Sequence, residues 1–381
     1  MRGITILGKV QISSDSPALG ANDAPCAPPF PFERRPVIVR PIVTHDLKRR
    51  RPARLAVVLL LAAAACTPAT NVSVAGPTPA APPPAVWGFA APWDPRSDSS
   101  LRANGARLDV AVTGWIQLDS LTGQPTLLYP DDPTHASPTT TRLALVTSYH
   151  GQTFHPGAIR SLATDERTLA SAAGHLAEIT ASGRYRGIVL DFEGQAPADT
   201  DATVRVVRAF RDSVRARGSS LVAVAIPAAD TAAYPTRTFM AVADLLIVML
   251  YDEHWSTSAP GPIATPTWVR RTLGQRVADV GASLIVAALP VYGYQWQAAQ
   301  VAVPLSFDDA RRAATQAGVE LLRDPASRSL HAIQPGGWEL WQSDSDLLRA
   351  LRDEVASLGV TKIALWRLGL EDPGVWNVLA K

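Results

Sequence analysis

Apolar runs alternate with helix-like patterns from residue 85 to the end of the chain. The runs are short and rich in β-branched residues, whereas the segments between them repeat apolar residues at helical spacing. The predicted strands are Val86–Ala90, Leu108–Leu118, Leu143–Ser148, Gly187–Glu193, Leu221–Ile226, Leu245–Tyr251, Leu284–Pro290 and Lys362–Trp366. The predicted helices between them include Glu166–Thr180, Thr200–Arg217 and Ser345–Leu358. This alternation is typical of a parallel sheet that is covered by helices on both faces.

Eight such units favour a closed TIM-type (β/α)₈ barrel. An open doubly wound sheet is the alternative, but no glycine-rich turn follows the first predicted strand. In a barrel of this type the active site lies at the carboxyl ends of the strands. Polar residues at those ends are therefore the candidates for chemistry.

The segment before the barrel has the pattern of an export signal that ends at residue 66. A basic stretch at 48–54 precedes an unbroken apolar run at 55–65, which ends at Cys66. This order is typical of a secretory signal, and the small residues before Cys66 resemble a lipobox. The run is shorter than the ~20 residues of a membrane span, which disfavours a transmembrane anchor. We expect acylation of Cys66 to anchor the mature chain to a membrane.

The position of this signal predicts the domain organisation. About fifty residues precede the apolar run, more than the roughly 15 to 30 of a whole signal peptide, so we expect translation to start later, for example at Val39 or Val43. Residues 67–84 are rich in Pro, Ala and Thr and form a predicted tether. The barrel then occupies residues 85–381. We expect a lipoprotein of the cell envelope, at the outer membrane or the periplasmic face, or a secreted protein.

Composition limits the possible partners of this domain. Hydrophobic residues make up 47% of the chain and charged residues 18%, which is typical of a globular protein with a sizeable core. The net charge of +2 provides no basic field, so nucleic acid is not expected as a partner. Cys26 and Cys66 both precede the barrel, so the barrel itself cannot contain a disulfide, a zinc–cysteine cluster or a catalytic thiol.

Two acidic residues end the fourth predicted strand. Side chains alternate along a strand, so Val189, Asp191 and Glu193 share the face that points into the barrel. Two carboxyl groups this close in a partly dry site raise the pKa of one of them. A protonated carboxyl is the proton donor that a glycosidic oxygen needs. The alternative is that both acids cap a helix or form a salt bridge, although Asp199 and Thr200 are better placed to cap the next helix.

The same stretch resembles the signature strand of family 18 glycoside hydrolases, D-x-x-D-x-D-x-E. Asp191 and Glu193 match its last two acids, while Arg186 and Val189 stand at its two earlier acidic positions. Three further stretches resemble family motifs in the expected order. They are Met249–His254 for M-x-Y-D on strand six, Leu289–Tyr294 for P-x-Y-G on strand seven, and Ala364–Gly369 for the tryptophan of strand eight.

Two other segments narrow the resemblance, which covers roughly residues 86–381. Trp87–Asp94 and Glu371–Trp376 resemble a bacterial subgroup whose barrels are often fused to a polysaccharide deacetylase and a glycosyltransferase. The family's middle Asp shares a proton with the Asp that Asp191 matches, and Val189 cannot do so. We therefore expect Asp191 to stay ionised and to point at Glu193. This arrangement would raise the pKa of Glu193, or it would indicate a barrel that binds a sugar polymer without cutting it.

The resemblance implies a retaining mechanism that uses no enzyme nucleophile, no metal and no cofactor. Glu193 would protonate the leaving oxygen, the substrate's own acetamido oxygen would attack the anomeric carbon, and Asp191 and Tyr251 would hold the acetamido group. Trp366 would form the floor under the cleaved sugar. The predicted substrate-binding residues are Trp366, Tyr292, Met249, Asp252, Trp87, Tyr149, Trp255 and Glu371.

Aromatic and histidine residues near the predicted strand ends offer further chemistry. Flat rings at such positions stack on sugars or pack under loops. These rings belong to Trp115, Tyr149, Trp255, Tyr292, Trp296 and Trp366. His150, His155 and His254 raise a metal site as an alternative, but the spacing of the first two suits no recognised metal motif.

Three functions follow as hypotheses. The first is a glycosidase that cleaves β-1,4-linked N-acetylglucosamine polysaccharide, either chitin-like or peptidoglycan. The second is a carbohydrate-binding barrel without activity, suggested by Arg186 and Val189. The third is a metal-dependent polysaccharide deacetylase.

Overall fold

The computed structural model describes residues 84–151 and 153–380. The strands there are β1 (Ala85–Phe89), β2 (Val110–Leu118), β3 (Pro125–Tyr129), β4 (Thr141–Thr147), β5 (Tyr149–His150), β6 (Thr153–Phe154), β7 (Gly187–Asp191), β8 (Leu221–Pro227), β9 (Leu245–Met249), β10 (Ile285–Pro290), β11 (Gly293–Gln297), β12 (Val303–Leu305), β13 (Leu322–Arg323), β14 (Leu330–Ile333), β15 (Trp338–Gln342) and β16 (Lys362–Trp366). The helices are α1 (Pro95–Asn104), α2 (Pro156–Thr164), α3 (Glu166–Ser182), α4 (Thr200–Ala216), α5 (Thr236–Met240), α6 (Pro266–Val280), α7 (Phe307–Ala317), α8 (Ser345–Ser357) and α9 (Val375–Val378).

Eight of these strands form a closed parallel barrel. Their order is β1-β16-β10-β9-β8-β7-β4-β2, and the pairing of β1 with β2 closes the sheet on itself. The predicted TIM-type barrel is therefore confirmed, and each predicted strand overlaps one barrel strand. The predicted export segment with Cys66, and the tether at 67–84 except for its last residue, lie outside the described residues.

Two apolar cores hold the barrel together. Side chains that point inward from the strands, such as Val112, Leu145 and Val189, fill the barrel interior. Side chains that point outward, such as Ile188 and Leu190, pack against the surrounding helices. The alternation that was predicted for the fourth strand is present: Val189 faces the barrel interior, whereas Ile188 and Leu190 face the helices. Strand β7 is therefore buried on both faces.

The helices cover the sheet through apolar faces. In α4 the buried residues are Thr203, Val206, Val207, Phe210 and Val214, which recur at helical spacing. Capping side chains begin three other helices: Asp165 starts α3, Thr265 starts α6 and Asp344 starts α8. None of the helices in the described part of the chain has the length and apolar character of a bilayer span.

The predicted capping of α4 by Asp199 or Thr200 is wrong in detail. Asp199 does occupy the N-cap position, but its carboxylate accepts from the backbone N–H of Ala196 at 3.2 Å and pairs with Arg160 at 2.9 Å. The hydroxyl of Thr200 donates to the backbone carbonyls of Pro197 and Ala233. Both side chains thus fix the loop that precedes α4.

Two additions to the barrel were not predicted, and both lie at its open end. The strand β3 pairs antiparallel with β2 and extends the sheet outside the barrel. Between β10 and β16 the chain forms a second, antiparallel sheet in the order β12-β11-β15-β14-β13, with α7 between β12 and β13. Residues of β3, β11 and β12 line the main cavity of the barrel mouth, so these additions form walls of the cleft.

Candidate active site

The carboxyl end of β7 carries the two candidate acids. Asp191 is the last residue of the strand, and Glu193 follows two residues later. The predicted strand ran to Glu193, but the chain leaves the sheet earlier and turns at Gly194, whose φ is +73°. Asp191 is 9% exposed and Glu193 is 7% exposed, and both line the same cavity. The structure therefore brings the two carboxyl groups together in a nearly dry site.

Asp191 lies beside a neutral hydrogen-bond donor. The Thr147 hydroxyl, at the end of the neighbouring strand β4, donates to Oδ2 of Asp191 at 3.3 Å. Burial is the largest influence on this carboxyl and raises its pKa to about 7, while the Thr147 hydrogen bond acts in the opposite direction. Burial therefore acts against the expected ionisation of Asp191, and the neutral Val189 side chain beneath it supplies no charge.

Tyr251 and Trp366 lie over the same cavity as the acids. Tyr251 follows β9, and Trp366 ends β16; their rings are nearly parallel, 13° apart, with centroids separated by 6.0 Å. Burial raises the pKa of Tyr251 well above its usual value, and the carboxylates of Glu193 and Asp191 raise it further. The Tyr251 hydroxyl therefore keeps its proton and can serve as a hydrogen-bond donor.

A third carboxyl group, that of Asp252, is held by Tyr292, which lies between β10 and β11, and by Tyr294 of β11. The Tyr292 hydroxyl donates to Oδ1 of Asp252 at 2.5 Å. A hydrogen bond between Tyr294 and Asp252 raises the pKa of Tyr294, although burial raises it more. Asp252 itself has a φ of +58°, so the chain turns sharply directly after Tyr251. Asp252 and its two tyrosines form one side of the cavity.

The main cavity of the barrel mouth has a volume of about 490 Å³. Eight of the predicted site residues line it: Asp191, Glu193, Tyr251, Trp366, Tyr292, Met249, Asp252 and Tyr149. A neighbouring cavity of about 150 Å³ is lined by Trp255, and Glu193 borders both cavities. Met249, Tyr251 and Asp252 also border both cavities, so the candidate acid lies with them between the two.

Two predicted substrate-binding residues line neither cavity. Trp87 is 3% exposed within the barrel interior, because it lies in the middle of β1; Phe89, two residues later on the same face, reaches the cavity instead. The Glu371 carboxylate accepts from the backbone N–H of Gly369 at 2.5 Å and from the hydroxyl of Ser100. Glu371 thus fixes the loop after β16.

Several cavity residues were not predicted as site residues. Thr147 ends β4 and Arg367 directly follows β16. Their position at strand ends is the sequence signal that could have identified them as cavity residues. Trp93 belongs to the loop after β1, and Leu128 and Tyr129 belong to the unpredicted strand β3. Trp93 packs edge-on against Trp115, with ring centroids 4.4 Å apart. Trp296 is buried within the inserted sheet and is not among the lining residues of the cavity.

The histidines of the metal alternative use ring nitrogens on backbone carbonyls. His155 Nε2 lies 2.9 Å from the carbonyl oxygen of His150, and His254 Nδ1 lies 3.0 Å from that of Ala259. Across residues 84–151 and 153–380, no three His, Cys, Asp or Glu side chains form a group that could hold a metal ion.

Comparisons with known proteins give relatives for both the sequence and the fold. No family model matches the sequence. YdhD of Bacillus subtilis (strain 168), assigned as a sporulation-specific glycosylase, is 26% identical over 251 residues, and a cortical fragment-lytic enzyme of the same strain is 23% identical over 264 residues. These matches cover 62% and 64% of this chain, and the chain spans only 60% of each relative.

A chitinase from Chromobacterium violaceum ATCC 12472 shares the fold, with a TM-score of 0.69 and 21% identity over 78% of this chain and 98% of that one. The chain is similar in sequence to these glycosylases and in fold to this chitinase. This confirms the resemblance that the four motifs predicted. The barrel carries Asp191, Glu193, Tyr251 and Trp366 at the strand ends that those motifs indicated. The narrower resemblance to barrels fused to a deacetylase and a glycosyltransferase stays a prediction.

Proposed function

We propose that this barrel hydrolyses β-1,4-linked N-acetylglucosamine polysaccharide, either chitin-like or peptidoglycan, by a substrate-assisted retaining mechanism. The observation that carries the proposal is the meeting of four groups in one cavity: the carboxyls of Asp191 and Glu193, the Tyr251 hydroxyl and the Trp366 ring. The relatives described above, glycosylases and a chitinase, support the same class of reaction.

Each group has a role that its surroundings favour. Glu193 borders both cavities, which places a proton donor at the junction where a glycosidic oxygen would lie. As that oxygen takes the proton of Glu193 and leaves, the acetamido oxygen of the cleaved sugar attacks the anomeric carbon and forms an oxazolinium ion. Water then attacks the anomeric carbon and opens this ion, and Glu193 accepts the proton that the attacking water loses. The configuration at the anomeric carbon is retained, since two inversions take place.

Stabilisation concentrates on the acetamido group, where charge develops. Asp191 would accept the acetamido N–H, and the protonated Tyr251 hydroxyl would donate to the acetamido oxygen before its attack. Trp366 would support the sugar ring through its flat face. Family 18 enzymes are a known exception to the rule of two catalytic carboxylates, so a second enzyme nucleophile is not required.

The two departures from the family signature differ in importance. Arg186 directly precedes β7 and is exposed at the amino end of the strand, far along the barrel from the acids. Val189 is fully buried in the barrel interior beneath Asp191. Only the change at 189 removes a carboxyl from the surroundings of Asp191. This is the observation that favours the second candidate, a barrel that binds glycan without cutting it.

The deciding experiment compares wild type with Glu193→Gln on chitooligosaccharides and on peptidoglycan. Loss of the general acid should lower kcat by about 10²- to 10⁴-fold and leave binding intact. Glu320→Gln is the matched control, because Glu320 is exposed on the inserted region and should leave turnover unchanged. Equal turnover by wild type and Glu193→Gln would refute the mechanism. A thiazoline analogue of the oxazolinium ion should bind wild type tightly.

Two further outcomes decide between the alternatives. Binding of chitooligosaccharides by wild type without turnover would support the carbohydrate-binding barrel. Release of acetate that a chelator abolishes would support the metal-dependent deacetylase. No specific contact in the described residues favours the latter.

We also propose that the barrel acts at the cell envelope as a lipoprotein anchored through Cys66. The support is the sequence alone: the basic and apolar segments before Cys66 and the Pro-rich stretch after it. Cells fed an alkyne-tagged fatty acid should label the wild-type protein and leave Cys66→Ser unlabelled. Labelling of both proteins, or of neither, would refute the anchor.

A further inference from the structure

Arg367 is a buried cation in the wall of the main cavity. It directly follows Trp366, through a cis peptide bond, and is 6% exposed. Its Nη1 donates to Oδ2 of Asp94 at 3.0 Å, and its guanidinium carbon lies 5.9 Å from the ring centroid of Trp93. Arg367, Trp93 and Trp366 all line the cavity. The guanidinium thus belongs to the cleft next to the predicted sugar floor.

One edge of this guanidinium has no acceptor within residues 84–151 and 153–380. The pair with Asp94 through Nη1 is the one side-chain hydrogen bond that Arg367 makes there, so Nε and Nη2 have no acceptor in that part of the chain. An arginine held in this way in a cavity wall is therefore suited to an acceptor that enters with a ligand.

Two other arginines of this protein show what that edge binds. Arg96 donates from Nε and Nη2 to the two carboxylate oxygens of Asp94, both at 3.0 Å. Arg142 donates from the same two atoms to the two oxygens of Asp131, at 2.9 and 2.8 Å. The parallel N–H bonds of this edge match a carboxylate in both distance and direction. The corresponding edge of Arg367 has no such partner among the described residues, and Arg367 lines the cleft.

The charges around Arg367 leave this edge available. Asp94 is shared between Arg367 and Arg96, and Arg96 also binds Asp309. Glu371 contributes to the field at Arg367, but its carboxylate is engaged by the backbone of Gly369 and by Ser100 on the loop side. Asp94 therefore keeps a guanidinium partner when Arg367 is substituted, and no described acid competes for Nε and Nη2.

We propose that the Nε–Nη2 edge of Arg367 binds a carboxylate carried by a sugar adjacent to the one on Trp366. This inference rests on the proposed function and narrows its substrate class. The preferred glycan would be an acidic N-acetylglucosamine copolymer, in which neighbouring sugars carry a lactyl ether carboxylate, as in peptidoglycan strands without peptides. Neutral chitin would be a poorer substrate, and a chain with free amino groups would be disfavoured by like charge.

The first test changes the ligand and leaves the protein binding site intact. Oligosaccharides of peptide-free peptidoglycan are compared with the same oligosaccharides after their carboxylates have been converted to methylamides. Binding is measured by calorimetry on the Glu193→Gln protein, so that turnover does not interfere. We expect about tenfold weaker binding of the amidated ligand, the lower range for a charge-assisted hydrogen bond. Equal affinity for both ligands overturns the proposal.

The second test changes the arginine in the same Glu193→Gln background. Arg367→Gln should bind both ligands alike, and Arg367→Lys should retain part of the preference because it keeps the charge without the fork. Arg312→Gln is the matched control, since Arg312 is an exposed partner of Asp309 outside the cavity and its loss should leave the preference unchanged. A preference that survives in Arg367→Gln contradicts the assignment to this residue.

These measurements separate the inference from the proposed function. If wild type fails to hydrolyse every glycan but Glu193→Gln prefers the acidic ligand, the hydrolase fails and the carboxylate site stands. If wild type hydrolyses chitooligosaccharides and the acidic copolymer with equal kcat/KM, the hydrolase stands and the carboxylate site fails.

Discussion

Tyr234 holds the chain on both sides of the candidate acid, and its removal should affect both stability and turnover. Its hydroxyl donates to the carbonyl of Phe192 at 2.8 Å and accepts from the backbone N–H of Gln195 at 3.2 Å. Glu193 lies between these two contacts. Tyr234 is itself fixed, since the fully buried Arg276 donates from Nη1 to its carbonyl at 2.6 Å.

The change Tyr234→Phe removes one oxygen and leaves two buried backbone groups without that partner. Each such group costs about 1–3 kcal/mol, so we expect the free energy of unfolding to fall by about 2–6 kcal/mol. A shift of Glu193 by ~1 Å can lower turnover by about 100-fold, because the proton must be delivered to one atom. Since the sugar-binding rings are untouched, kcat should fall and KM should change little.

The assay combines urea unfolding with steady-state kinetics on chitooligosaccharides at temperatures where both proteins are folded. Tyr185→Phe is the matched control: its hydroxyl is also buried and donates to Asp131, but it lies before β7, at the other end of the barrel. That variant should lose stability and keep kcat. If Tyr234→Phe and Tyr185→Phe lose kcat equally, or if Tyr234→Phe keeps wild-type kcat, the positioning role of Tyr234 is wrong.

Three further predictions follow from single contacts. Burial raises the pKa of Asp191 from 3.8 to about 7, so the protonated carboxyl stabilises the fold fully below about pH 4, and this contribution is lost as the pH rises to 7. Asp191→Asn should therefore flatten the pH dependence of the unfolding free energy, by up to roughly 4 kcal/mol between pH 4 and 8, in urea titrations. Thr147→Val removes the hydrogen bond that lowers this pKa, so the profile of kcat/KM against pH should move to higher pH, whereas Thr147→Ser should keep the wild-type profile. A Cβ at Gly187 would lie 1.9 Å from the carbonyl oxygen of Leu221, so Gly187→Ala should lower the free energy of unfolding by about 1–3 kcal/mol or more. Gly174 lies in open space within α3, so Gly174→Ala should raise the free energy of unfolding by about 0.5–1 kcal/mol. Thermal melts of the two variants test this prediction.

The barrel could be predicted because its strands carry their own signal. Runs such as 221–226 and 284–290 are apolar at every position, since parallel strands are buried on both faces. The strand ends were predicted less closely. Predicted strands continued to Glu193 and Tyr251, but the observed strands end two residues earlier, and the chain then turns at Gly194 and Asp252, which adopt positive φ.

The additions to the barrel carried no comparable signal. Strands β13 and β14 have two and four residues, and their exposed residues Leu322 and Ile333 are apolar, so neither length nor periodicity distinguishes them from loops. Strand β3 exists because it pairs with β2, and the inserted sheet exists because β11 meets β15 some forty residues later. Such pairings depend on tertiary contacts that local sequence does not specify.

The sequence likewise predicted some residues of the candidate site and missed others. Alternation along β7 placed Asp191 and Glu193 on one face, and motif order added Tyr251 and Trp366. Whether a residue on that face reaches the cavity depends on its height in the barrel, and this is why Phe89 rather than Trp87 lines it. The contacts of Arg367 depend on a loop from the first unit meeting the last strand, 273 residues away in sequence.

The direction in which the chain enters the barrel has a practical consequence. Strand β1 runs parallel to its neighbours, so residue 84 lies at the end of the barrel opposite the cleft. Anything joined upstream of that residue, whether a lipid-bearing segment or a purification tag, attaches at the end of the barrel opposite the cleft. Immobilising the protein on beads through that side should leave long insoluble glycans free to approach the cleft.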